Sequence, residues 1–426
     1  MNKKLEKRPS FLRPGKIGAF LSVVFAGQLA YASFEAFKGS LMLPLTQALG
    51  ISLGEFSYMM SMLGIATYLY IPGGWVNNRF SIRSILTTWL SWRMITGLII
   101  FLVPNLPFKA LVIIAISWGV WDAIGWPAVT NGVTFISKDS DKEGRGLAMG
   151  LLESIRRFME FVMNGIIIIM IAIWPDKSVM IMKIMSIIYT LTMLPNIIAV
   201  LKYVPKNAIA TSEGESSNIA ALKGLIGVLK MPRVWLAGLA GLCLYWCYMN
   251  LIYSSAPYLS LVFNASEALS GTFGIINTGF MGIIGGAAAG YLADYVFKSS
   301  AKMLGIALGL TAVGSLLVYL IPSSASMWLS VVLLMVMSIG IFMGKAVILA
   351  PIAELNLESS VNGSAMAIGS FLAYASIFWA PVMNAKFIEA SHGPAVGYKY
   401  VFLTTVIVAT VGAVCALILT RYIKKK

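Results

Sequence analysis

Long apolar stretches return again and again along this chain, separated by short breaks rich in charge, Pro, Gly or Asn, and they limit what it can fold into more than any other feature. A helix needs roughly 20 residues to cross the hydrocarbon of a bilayer, and there every backbone N–H and C=O must be satisfied within the segment. Runs near residues 17–46, 54–76, 83–103, 108–136, 147–173, 180–202, 232–262, 268–296, 302–321, 326–350, 363–388 and 397–421 predict twelve membrane-crossing helices. Several exceed the minimum length, so tilt or kinks are expected. Of 426 residues, 58% are apolar and only 12% charged, which excludes a soluble globular protein, a coiled coil and a disordered chain. The expected class is an all-α polytopic membrane protein.

A net charge of +15 would suit nucleic acid if it lay on a soluble face, but here Lys and Arg sit in short segments between apolar runs, where they act as orientation signals. No nucleic-acid partner is expected. The basic start (Lys3, Lys4, Lys7, Arg8, Arg13, Lys16) leads into an apolar run that no convincing small-residue cleavage site follows, so it reads as a first transmembrane helix rather than a signal peptide. An even number of spans puts both termini on one side, and the tail Arg421, Lys424, Lys425 and Lys426 agrees with the basic start that this side is cytoplasmic. The location expected is a bacterial-type inner membrane, crossed many times. Residues 203–231 form the one long polar connection, with a Ser/Glu/Asn-rich run from Thr211 to Asn218, and read as a flexible cytoplasmic linker between six-span bundles at 1–202 and 232–426. Cys243, Cys247 and Cys415 all lie inside apolar runs and suggest neither a disulfide framework nor a metal site.

Two pairs of marks recur across that linker. Gly74-Trp-Val-Asn-Asn78-Arg79 follows the second span, and Gly290-Tyr-Leu-Ala-Asp294 follows the eighth, 216 positions later. Gly146-Leu-Ala148-Met149 opens the fifth span and Gly363-Ser-Ala365-Met366 the eleventh, an offset of 217 between the alanines. Near-equal offsets at equivalent topological positions imply two homologous six-helix halves, an architecture in which rocking exposes a central site to either side in turn.

With these marks the whole chain resembles the major facilitator superfamily. That family carries Gly, three residues, an acid and basic residues in the loop after span two. The first-half copy keeps Gly74, Arg79 and Arg83 with Asn78 at the acidic place, and the second-half copy keeps Gly290, Asp294 and Lys298. The resemblance implies that this loop gates the two halves; an ordinary tight cytoplasmic turn is the alternative. Gly119-Val-Trp-Asp122-Ala-Ile-Gly125-Trp126-Pro127, followed by Glu143-Gly-Arg145-Gly146, is similar to the fourth span and next loop of the organophosphate and organic-anion transporter branch, as is Tyr31 to Pro44 in span one. Where organophosphate:phosphate exchangers place their phosphate-holding Arg residues, this chain aligns Ala36 and Tyr248. Sugar-acid:proton symporters of the branch carry acids at the places of Glu35 and Asp122, which implies proton coupling at both.

Ionisable groups inside a bilayer cost several kcal/mol unless paired or hydrated, so each needs a partner or a task. Glu35 and Lys38 stand three residues apart, which predicts either mutual neutralisation or a cavity-lining pair in which Glu35 takes a proton and Lys38 meets the solute. Asp122 has no basic residue within four positions; it reads either as a proton carrier or as a buried acid held by Arg156 or Arg157 of a neighbouring helix. Glu153, Arg156, Arg157 and Glu160 form one stripe at helical spacing, with Arg156 roughly 13 Å into its span at 1.5 Å per residue. The stripe can be self-neutral, or its guanidiniums can hold an anion through paired hydrogen bonds. Lys345 reaches a cavity or snorkels to the surface. Trp126 and Tyr248 join Glu153, Arg156, Arg157, Lys38 and Lys345 as expected solute contacts.

No phosphate-binding Gly-rich loop, ion-channel filter or catalytic constellation is visible, so no enzyme, metal or cofactor is expected. The expected function is proton-coupled symport of a small organic anion, a sugar acid or similar, by a monomer whose partners are solute, protons and lipid. Efflux of an amphipathic compound and organophosphate or anion exchange are the alternatives; an appended sensor domain is not evident.

Overall fold

The computed structural model describes residues 10–37, 40–137, 142–206, 208, 227–355, 357 and 359–424, and among these every regular element is helical. Nine helices in the described residues are long and apolar enough to cross a membrane, or ten when the bent pair Met42–Leu49 and Leu53–Tyr70 counts as one span. Large apolar side chains face outward, with Ile113 67%, Ile169 61% and Trp328 61% exposed, while Arg93 is 1% exposed. Apolar surface with charge inside is the distribution lipid demands, and it makes the chain an all-α polytopic membrane protein.

Contacts divide the chain into two compact units. The first comprises Met1–Lys38, Pro44–Ile51 and Leu69–Glu213; the second comprises Gly39–Leu43, Ser52–Tyr68 and Gly214–Lys426. The chain thus passes from the second unit to the first between Tyr68 and Leu69, within what the sequence presents as a single span.

The first expected run, 17–46, is not one helix. Helix α1 (Ile17–Ala32) stops at Ser33, a 3-10 turn follows at Glu35–Phe37, and α2 begins anew at Met42–Leu49. The chain then bends by 97°. Gly50 takes φ +68°, which glycine adopts without a Cβ penalty. Ser52 starts α3 (Leu53–Leu63) with a capping box, its backbone N–H donating to Glu55 Oε2 at 2.8 Å and its hydroxyl accepting from Glu55 N–H at 3.1 Å. The second run, 54–76, also breaks, between α3 and α4 (Ala66–Arg79).

The remaining first-unit helices are α5 (Ile82–Leu102), α6 (Phe108–Ile136), α7 (Lys142–Ile173), α8 (Ser178–Leu191) and α9 (Met193–Tyr203). Their core joins Phe20, Val23 and Val24 of α1 to Leu86 and Trp89 of α5, Val129 and Val133 of α6, and Val200 of α9. Small residues let the backbones approach, as packing in lipid favours: Val23 and Val129 lie where a Cβ on Gly132 and on Gly27 would stand, each within 2.9 Å.

In the second unit, α10 (Pro232–Phe263) is followed by α11 (Glu267–Ile275), a π-helical turn at Ile276–Phe280, α12 (Met281–Tyr291) and a second π turn at Leu292–Val296. Then come α13 (Ser300–Leu320), α14 (Met327–Ala346), the short α15 (Ala350–Ala353), α16 (Ser359–Tyr374), a 3-10 turn at Ala375–Phe378, α17 (Ala380–Glu389) and α18 (Pro394–Lys424). Helix α10 packs along α16 and α18, and α13 along α14 and α18. Inside, Asn250 donates to Thr405 Oγ1 at 2.9 Å and accepts from Asn384 Nδ2 at 3.1 Å. Within this unit α3 packs on α17, and Thr67 donates to the Tyr374 carbonyl, 3.4 Å away, where α16 gives way to the 3-10 turn.

Candidate functional site

Three ionisable side chains from three segments of the first unit meet out of reach of solvent. Arg93 of α5 places Nη1 2.5 Å from Glu35 Oε1 and Nη2 2.6 Å from Asp122 Oδ2. Glu35, Arg93 and Asp122 are 5%, 1% and 4% exposed. Removing such ions from water costs several kcal/mol each, which only close pairing and full hydrogen bonding can offset. Asp122 takes a further bond at Oδ1 from Trp89 Nε1, 2.9 Å away. The guanidinium carbon lies 4.4 Å from the ring centre of Trp118 and 5.3 Å from that of Tyr31, within cation–π range. Trp118 is itself fixed by an Nε1 bond to Thr96 Oγ1 at 2.7 Å.

Helical spacing assembles this cage: Trp89, Arg93 and Thr96 share one face of α5, as Trp118, Asp122 and Gly125 share one face of α6. Glu35 is delivered by the 3-10 turn, which Asn164 of α7 holds through a 2.9 Å bond to the Ala36 carbonyl.

Glu35 pairs with Arg93 and lies in a 3-10 turn beyond the end of α1 rather than on one helix with Lys38, which itself lies outside the described residues. Asp122 is held by Arg93, not by Arg156 or Arg157. Both of those arginines pair along their own helix, Arg156 with Glu153 at 2.9 Å and Arg157 with Glu160 at 2.7 Å.

Arg156 does more than close that stripe. Its Nε donates to the Gly27 carbonyl of α1 at 2.9 Å, and its guanidinium lies 4.4 Å from the ring centre of Trp126 and 6.0 Å from that of Tyr31. Tyr31 thereby stands beside both Arg93 and Arg156. These contacts fix the direction of a guanidinium that is planar by its own delocalisation.

In the second unit, Lys345 near the end of α14 places Nζ 4.1 Å from the ring centre of Tyr248, which is buried on α10. Rings gather around Tyr248: Tyr245 at 5.3 Å and Phe342 at 5.8 Å, with Tyr374 4.8 Å from Tyr245. Lys345, itself only half-buried, thus rests against an aromatic face.

The loop marks fall at helix ends. Gly74 lies in α4 and Arg79 is its exposed last residue; Arg83 is half-buried in the first turn of α5, whose N-terminus Ser81 caps through Ser84 N–H at 3.2 Å. Gly290 lies in α12 and Asp294 in the second π turn.

In the sequence Arg93 is a cation inside the third expected span, 83–103, but nothing there names its partner, and neither Trp89 nor Trp118 stands out. The signal available was the spacing of Trp89 to Arg93 and of Trp118 to Asp122, four residues each, on helices adjacent in the chain.

The Major Facilitator Superfamily matches residues 23–381. Two Escherichia coli K12 proteins are similar in sequence: inner membrane protein YihN, 24% identical over 84% of this chain and 89% of its own, and inner membrane protein YqcE, 24% identical over 69% of each. Among solved structures, a bacterial homologue of the human lysosomal transporter Spinster, inward-facing and unoccupied, has a TM-score of 0.70 with 12% identity, covering 97% of this chain and 98% of that one. Nucleoside transporter NupG has a TM-score of 0.65 with 13% identity, covering 96% and 100%. At these identities the solved structures speak for the fold alone.

Proposed function

Because the chain belongs to the Major Facilitator Superfamily, and is thus a membrane transporter rather than an enzyme, we propose that it carries a small organic anion, such as a sugar acid, by proton symport with alternating access. The observation that carries this reading is the Glu35–Arg93–Asp122 triad. Two carboxylates against one guanidinium leave one negative charge when all three are ionised, in a place too dry to hydrate it. A single proton makes the triad neutral, and a group that changes charge inside low-dielectric surroundings biases whichever conformation tolerates the new charge. Asp122 and Glu35 share that proton, with Arg93 between them. Arg156, braced by Gly27 and Trp126, supplies the countercharge for the solute, with Arg157, Glu153 and Lys38 as further solute contacts. Lys345 and Tyr248 supply the second unit's contacts.

The proposal extends to organisation. Six-helix bundles at 1–202 and 232–426 are joined by the linker 203–231, both termini are cytoplasmic, the unit is a monomer, and Gly74, Arg79, Arg83, Gly290 and Asp294 serve the gating loops. The naming of two relatives as inner membrane proteins supports the same membrane here. Efflux of an amphipathic compound is the second reading, favoured by the rings around Tyr248.

The test is a thermal-shift panel of sugar acids, their neutral sugars and amphipathic cations, followed by uptake of the stabilising compound into proteoliposomes at acidic and neutral external pH. Symport predicts faster uptake at acidic external pH in wild type and loss of that dependence in Asp122→Asn. A full pH dependence retained in Asp122→Asn and in Glu35→Gln overturns the coupling. Stabilisation by amphipathic cations alone transfers the case to efflux.

A further inference from the structure

Helix α6 contains Pro127, whose ring nitrogen has no hydrogen to give, so the carbonyl four residues earlier, Ala123, loses its helical partner. That carbonyl belongs to the residue directly after Asp122. Gly73 of α4 sits against it: a Cβ at position 73 would stand 2.3 Å from Ala123 O and 3.0 Å from its carbon, closer than any real Cβ comes. One turn along the same face of α4, Asn77 is 2% exposed and donates from Nδ2 to the next carbonyl, Ile124 O, at 3.0 Å, and to Gly73 O of its own helix at 3.0 Å. Two consecutive carbonyls beside Asp122 are therefore fixed by one helix face.

We propose that Gly73 and Asn77 are positioning residues for Asp122: by clamping the Ala123 and Ile124 carbonyls at the proline step they set the direction in which the Asp122 carboxylate meets Arg93 and Trp89. Neither residue touches the triad. An α-carbon without a side chain is required at 73 because backbone, not a mobile side chain, occupies the space, and a donor is required at 77 to tie the following peptide.

This inference rests on the reading of Asp122 as a proton carrier, and the experiment separates the two. Infrared difference spectra of the purified full chain, recorded across a pH series, isolate the carboxyl band that disappears in Asp122→Asn. Asn77→Leu keeps the branched side-chain shape and deletes the donor; Gly73→Ala adds one methyl; Asn384→Leu, the same substitution at an equally buried site in the second unit, is the control. The expected result is a midpoint of the Asp122 band moved by about one pH unit or more in Asn77→Leu and in Gly73→Ala, and unmoved in Asn384→Leu. If either clamp variant fails to purify, the other decides. An unmoved midpoint in the clamp variants, with the Asp122 band present, overturns the positioning role and leaves the proton reading standing. A wild-type protein with no Asp122-dependent band overturns the proton reading, and the positioning role with it.

Discussion

Trp89 lies across Gly125: a Cβ at position 125 would stand 2.2 Å from Trp89 Cδ2 and 2.6 Å from Cε2, and from that seat the indole donates to Asp122 at 2.9 Å. The Trp89 ring is fully buried, so it has no vacant space to retreat into. Gly125→Ala is therefore expected to push the indole off Asp122, at a cost of about 1–3 kcal/mol for an overpacked site. Thermal unfolding in detergent reads the loss. Trp89→Phe, which keeps the ring bulk and removes only the donor, is expected to be milder in stability while altering the pH dependence of uptake. Equal Tm values for Gly125→Ala and wild type would refute the packing argument.

Among the described residues Arg93 is the cation paired with both Glu35 and Asp122, so its removal takes that countercharge from two buried carboxylates. Breaking a buried pair by deleting one partner costs about 3–5 kcal/mol. Arg93→Ala is expected to lose that much, and Arg93→Lys to lose part of it, since an ammonium cannot address two carboxylates with the geometry of a guanidinium. Combining Arg93→Ala with Asp122→Asn should recover stability relative to Arg93→Ala alone. A double-mutant cycle by denaturation measures the coupling, and strict additivity would contradict a triad.

The polytopic helical class was legible because a bilayer imposes length and composition locally, and helices α5, Ile82–Leu102, and α6, Phe108–Ile136, fall on the expected 83–103 and 108–136. Pairing within one helix was equally legible: Arg156 with Glu153 and Arg157 with Glu160 follow from a three-residue spacing. The Arg93–Asp122 pair was not, because the partners are 29 residues apart on different helices and nothing in either helix fixes their relative rotation. The Glu35–Arg93 pair was hidden as well, because a continuous apolar run conceals the end of α1 at Ala32 and with it the turn that carries Glu35. Gly125-Trp126-Pro127 stood out by resemblance, but its physical content needs coordinates: a seat for Trp89, a face for Arg156 and a freed carbonyl for Gly73.

The braced state of Arg156 makes a separable prediction about solute affinity. Trp126→Ala removes a cation–π contact worth about 0.5–2 kcal/mol and frees the guanidinium to rotate. Affinity for an anionic solute identified by thermal shift should fall several-fold, while a neutral analogue should be little affected. Arg156→Lys keeps the charge but loses the Nε bond to Gly27 and the bidentate fork, so it should weaken the anion more than Trp126→Ala does. Isothermal titration with the anion and its neutral analogue tests both, and equal losses for the two ligands would remove Arg156 from the anion site.

Glu354, in the turn after α15, closes the N-terminus of α13. Its carboxylate accepts from Ser300 N–H, from Ala301 N–H at 3.3 Å and from the Ser299 hydroxyl at 3.1 Å. A helix start leaves backbone N–H groups without partners and carries partial positive charge, so an anion there satisfies both demands. Glu354→Gln keeps an acceptor and removes the charge, whereas Glu354→Ala removes both. The expected losses are about 0.5 kcal/mol and about 1–2 kcal/mol, in that order. Because the carboxylate joins the segment before α16 to the start of α13, hydrogen exchange should rise at Ser300 and Ala301 in Glu354→Ala. Unchanged exchange at those amides would show that water replaces the cap at no cost, and that the turn is held by its backbone alone.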